Sequence, residues 1–108
     1  MKKIDFKKRS EEIEIAGKVY SIEVSNYEFI KKAQSSLAEL EAVQKKLQET
    51  GDVDSLIECL HVLFDFVLGD FDRIWEEANH DIYNMMDVAI LLSEIISDGF
   101  EYKRAKYL

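Results

Sequence analysis

The stretch between Asp52 and Gly69 constrains this chain most. Leu56, Ile57, Cys59, Leu60, Val62, Leu63, Phe64, Phe66, Val67 and Leu68 leave only a narrow polar stripe, made of Asp54, Glu58, His61 and Asp65 at helical spacing. A helix apolar around most of its circumference must be covered on most sides. It is therefore expected at the centre of the fold, started by Asp52 or Asp54 and ended by Gly69. The competing expectation is that part of it meets another chain. With 108 residues, 47% of them hydrophobic, the chain can bury one core and is too apolar for a disordered segment. A single domain over residues 1–108 is expected, α+β but mainly α, with a β region over 1–24 and a helical region over 25–108.

The β region follows from alternation. Ile13 and Ile15 alternate with Glu12 and Glu14, and Val19, Tyr20, Ile22 and Val24 supply β-branched and aromatic residues. Ala16-Gly17-Lys18 between them predicts a tight turn, so 13–24 reads as a hairpin. Ile4 and Phe6 suggest a third strand over 3–7. The expected architecture is thus an N-terminal β-hairpin or three-stranded antiparallel sheet followed by a bundle of about four helices.

The absence of proline leaves long helices unbroken. Ser25 and Glu28 fit a capping box opening a helix that runs to about Thr50 and stops at Gly51. Its apolar seam is Ile30, Ala33, Leu37, Leu40 and Leu47, with Gln44 in the skipped place; packing on its own core is preferred to an intermolecular coiled coil. Asp70 is expected to cap a short helix through Phe71, Ile74 and Trp75, ending near Asn79. A last helix begins near Asp81 and carries Ile82, Met85, Met86, Ala89, Leu92, Ile96 and Phe100 on a broad apolar face. Gly99 weakens it near its end, where Lys103, Arg104 and Lys106 suit the helix dipole.

Charge is unevenly placed. The net charge is −8. Residues 1–50 hold ten basic and nine acidic side chains, whereas residues 51–100 hold twelve acidic ones and a single cation, Arg73. Direct nucleic-acid binding is not expected, because counterion release needs clustered cations. No apolar run approaches a membrane span, and no apolar stretch follows the N-terminal lysines as in a signal peptide. The lone Cys59 cannot close an internal disulfide, which fits a reducing cytoplasm.

Catalytic constellations are not found. Cys59 and His61 lie two apart on a helix and do not face each other. His80 falls before a helix, where capping or exposure to water is the commoner role. Asp65–Glu76 has the length of a calcium loop but places Val67, Gly69 and Asp70 where ligands and glycine are needed. The glycines are single, so no phosphate loop exists. No catalytic residue, metal or cofactor is assigned, and an enzyme is not expected. A binding role has better candidates: Phe64, Phe66, Phe71, Ile74 and Trp75 surround the break at Gly69. Closing the core is the simpler role for such a cluster; any exposed members would mark a partner site.

The order of these elements resembles a known family. Ile4-Asp5-Phe6 leads to Glu14-Ile15-Ala16-Gly17-Lys18-Val19-Tyr20, then to a long helix, then to Val67-Leu68-Gly69-Asp70-Phe71-Asp72-Arg73-Ile74-Trp75 and an acidic last helix. Over nearly the whole chain this is similar to the tail assembly chaperones of siphovirus-type bacteriophages and prophages of Gram-positive hosts. That resemblance implies a small, largely helical protein of the host cytoplasm, absent from the mature virion. It implies that the chain binds the tape measure protein and keeps it soluble until tail tube subunits assemble around it. It also implies self-association, a homo-oligomer, and in many members a longer frameshifted form. It carries over no catalytic residue. The rival class is a small acidic inhibitor or regulator, a nucleic-acid mimic or adaptor, motivated by the acidic middle of the chain.

Overall fold

The computed structural model describes the backbone of residues 1–7 and 9–107 and the side chains of residues 1–7 and 9–97. Strands β1 (Ser10–Ile15) and β2 (Lys18–Glu23) form an antiparallel hairpin, with Ile15 opposite Lys18 and Ile13 opposite Tyr20. The turn places Ala16 at φ 49° and Gly17 at φ 83°. Positive φ at both central positions matches the right-handed twist of the strands. Glycine adopts it freely, whereas Ala16 is held there against its steric preference. Tyr20, Ile22 and Val24 are buried, while Ile13 and Ile15 are half-buried.

The sheet has two strands, so the expected third strand over 3–7 does not form. Ile4 and Phe6 are exposed. The reason is chain length: a third strand must reverse before β1, and the Arg9 carbonyl is already bonded to Val24 N–H, which leaves too few residues after position 7 for a turn. The hairpin also runs out of partner: beyond the bond from Val24 N–H to the Arg9 carbonyl, at 3.2 Å, the chain turns into a helix.

That helix, α1 (Tyr27–Thr50), is capped one residue later than the sequence suggests. Asn26, not Ser25, accepts from Phe29 N–H at 3.0 Å. It ends at Gly51, whose φ of 65° lets its N–H reach the Leu47 carbonyl. Ile30, Ala33 and Leu40 are buried, and Leu37 and Leu47 half-buried, so the seam lies on the core of this chain.

Helix α2 (Val53–Val67) is capped by Asp52, which accepts from Ser55 N–H at 3.2 Å and from its hydroxyl at 2.6 Å. It is central, packed by α1, by α3 (Phe71–Glu77) and by α4 (Ile82–Tyr107). Leu56, Leu60, Leu63, Phe64 and Val67 are buried, and Asp54, Glu58, His61 and Asp65 form the exposed stripe. The capping of α3 differs from expectation. Asp65, one turn back on α2, accepts from Phe71 N–H at 3.2 Å, and the Asp70 carboxylate makes no capping bond.

Consecutive residues Asn79 and His80, at φ 58° and 57°, reverse the chain into α4. Asp81 caps that helix through Tyr83 and Asn84 N–H. Met85, Ala89, Leu92, Ile95 and Ile96 are buried. The helix continues through Gly99; the side chains of Phe100, Lys103, Arg104 and Lys106 lie outside the described residues. Among the described residues no helix is long and apolar enough to cross a membrane.

Candidate functional site

Two features stand out as candidate interaction sites: the junction around Gly69 and a groove between α1 and α4. At the junction, Gly69 takes φ 68°, and its N–H and that of Leu68 both reach the Phe64 carbonyl. This stops α2 and turns α3 back against it. The aromatic residues then line up. His61 stacks on Phe71 with ring centroids 4.2 Å apart, Phe71 on Trp75 at 5.9 Å, and Trp75 on His80 at 4.9 Å. Apart from this column, Phe66 stacks on Phe29 of α1 at 5.3 Å, with the Lys32 ammonium over its ring.

Of the five candidates from sequence, Phe64, Phe71 and Ile74 are buried, at 0%, 5% and 1% exposure. Phe66 and Trp75 are half-buried. The cluster therefore closes the core between α2 and α3, and the surface it offers consists of the edges of Phe66 and Trp75. The histidines at its ends pair with carboxylates one helical turn away: His61 with Asp65 and His80 with Glu76, each at 2.8 Å.

A polar tie joins this junction to the hairpin turn. Arg73 Nη2 donates to the Ala16 carbonyl at 2.7 Å; Nη1 donates to the Ile15 carbonyl at 3.3 Å and to the Tyr20 hydroxyl at 3.1 Å. Asp70 Oδ2 accepts from the Tyr20 hydroxyl at 2.6 Å and from Lys18 Nζ at 2.8 Å. The planar guanidinium fits because its fixed fork can reach two carbonyls and a hydroxyl together. The bonds from Lys18 and Tyr20 hold the Asp70 carboxyl below its usual range. Burial, then the bond to Asp70, pushes the Tyr20 phenol up. Sequence reasoning placed Asp70 as a cap and missed the tie. The available signal was Arg73, the one cation among residues 51–100.

The groove holds about 420 Å³. Leu37, Leu40, Met86 and Ala89 line it with the exposed Ala38 and Ile90, together with the polar Gln34, Glu41, Gln44, Ser93 and Ser97. It is open and of mixed apolar and polar lining. No seam pattern announced it, because each helix alone reads as a core-facing amphipath.

Cys59 is not set up as a nucleophile. Cys59 is half-buried, and burial, with Glu39 and Glu58 nearby, raises its thiol pKa. A thiol so placed is protonated at neutral pH. Among the described residues no three His, Cys, Asp or Glu side chains come together to hold a metal ion. No protein-family model, curated protein or solved structure matches this chain.

Proposed function

We propose that this chain is a tail assembly chaperone of a siphovirus-type phage or prophage. It binds the tape measure protein in the host cytoplasm, keeps it soluble while tail tube subunits assemble around it, and does not remain in the virion. The observation that carries this reading is the tie at the junction. Two of the segments that carry the resemblance, Glu14–Tyr20 and Val67–Trp75, lie far apart in sequence. They meet through Arg73, Asp70, Lys18 and Tyr20. These residues thus have a common structural reason: they fasten the hairpin to the helical body.

The surface for the partner is the α1–α4 groove rather than the buried aromatic cluster. A tape measure protein is a long helical chain, and an amphipathic helix fits a groove of mixed apolar and polar lining. The acidic surface keeps the loaded complex in solution.

The test is co-expression with a tape measure protein of a siphovirus-type phage. A soluble complex is expected with the unaltered chain. Ala38→Glu with Ile90→Glu, both at exposed positions, should return the partner to the insoluble fraction without lowering the thermal stability of this chain. A partner that stays insoluble with the unaltered chain refutes the reading. Competition with DNA for a basic protein at low salt would favour the acidic-inhibitor class instead.

A further inference from the structure

Residues 1–7 carry a pattern that the fold of this chain leaves unused. Ile4 is 81% exposed and Phe6 97%, and Lys2, Lys3, Lys7 and Arg9 surround them. The complementary feature is the outer edge of β1. The register makes Ile15–Lys18, Ile13–Tyr20 and Glu11–Ile22 the hydrogen-bonded pairs, continued by the bond from Val24 N–H to the Arg9 carbonyl. Ser10, Glu12 and Glu14 therefore turn their backbone N–H and C=O groups away from β2. Among the described residues no strand pairs with that edge. Glu11, Glu12 and Glu14 are all exposed along it, and Ile13 and Ile15 are only half covered. An open edge of this kind accepts a further strand.

We propose that residues 3–7 of one copy of this chain add as an antiparallel strand to the β1 edge of a second copy. With Phe6 opposite Ile13 and Ile4 opposite Ile15, the added apolar side chains fall on the core side of the sheet. Lys7 then stands opposite Glu12, and Asp5 opposite Glu14 is the one unfavourable pair. Pairing even-numbered with odd-numbered residues puts Ile4 and Phe6 on the face of Ile13 and Ile15. The same copy cannot supply the strand, because Arg9 is still engaged with Val24 and the chain has no room to reverse before β1. Each copy offers both an arm and an edge, so the same contact joins copies either reciprocally in pairs or head to tail. This pairing does not rest on the chaperone reading.

Sedimentation velocity on the full chain over a concentration series tests it. Reversible association, weakened by salt, is expected. Lys7→Glu and Glu12→Lys each set like charges opposite one another and should each weaken association by about tenfold. An equimolar mixture of the two variants should restore it, because each then meets its opposite on the other. Phe6→Asp should abolish association with no change in the circular dichroism spectrum, since Phe6 lies outside the core. A chain monomeric at every concentration would overturn the proposal. So would association that survives Phe6→Asp, or a mixture no stronger than either variant alone.

Discussion

Replacing Arg73 tests whether the hairpin is held by the tie or by its apolar face alone. Arg73→Ala removes donors to the Ala16 carbonyl, the Ile15 carbonyl and the Tyr20 hydroxyl. The site is partly open, so water re-solvates the exposed Ala16 carbonyl. The Tyr20 hydroxyl keeps its bond to Asp70. The loss is then that of solvated rather than orphaned groups, near the low end for each bond, or about 2 kcal/mol in total. For a domain of this size that lowers the melting temperature by about 8 °C or more. Arg73→Lys should recover little of it, because a single ammonium cannot span both carbonyls and the hydroxyl. Urea and thermal unfolding followed by circular dichroism measure the loss, and hydrogen exchange localises it to β1 and β2. A melting temperature within about 2 °C of the unaltered chain, with unchanged exchange in the hairpin, would refute the argument.

Three further outcomes are expected. Leu60→Ala, at a fully buried position on α2, should cost about 3 kcal/mol in urea unfolding, because the cavity opens at the centre of the helical layer. Gly69→Ala should cost about 1 kcal/mol, all of it backbone strain at φ 68°, since the added Cβ meets nothing closer than the Asp65 carbonyl oxygen at 3.9 Å. The pH dependence has two arms. The Asp70 pKa is lowered on folding, so its stabilisation is present above the ordinary carboxylate value of 3.8 and is lost as pH falls through the folded value. The Tyr20 pKa is raised, so its contribution is present below the ordinary 10.0 and is lost as pH rises through the folded value. Unfolding measured across pH should show Asp70→Asn flattening the acid arm and Tyr20→Phe the alkaline arm.

Most of the fold was legible because local signals and the apolar pattern agree. The hairpin turn, the stop at Gly51, the central α2 and its end at Gly69 each rest on a glycine or an apolar face that the final packing uses unchanged. What escaped was long-range. Ser25 and Asn26 are both good caps, and sequence alone does not say which one the helix uses; it is Asn26. Asp70 reads as a cap because it precedes a helix, but Tyr20 and Lys18, some fifty residues earlier, compete for its carboxylate, and Asp65 takes over the capping. The third strand failed for want of residues to turn before Arg9 joins the hairpin ladder, which alternation within 3–7 does not reveal. In the candidate site, the aromatic cluster and its simpler role of closing the core were legible, while which members stay half-exposed, Phe66 and Trp75, was not. The α1–α4 groove needed two helices at once.

The tie also bears on the order in which this protein can be made. The hairpin leaves the ribosome before the helices that follow it, yet the side chain that grips its turn carbonyls lies 58 residues beyond Ile15. During synthesis the strained Ala16 turn must stand with only its own ladder to hold it. It becomes secure once α3 has emerged and folded against α2. The hairpin, made before the helices, is therefore locked only after α3 has been made, and a pause in translation before Arg73 would leave it open to the solvent and to other chains.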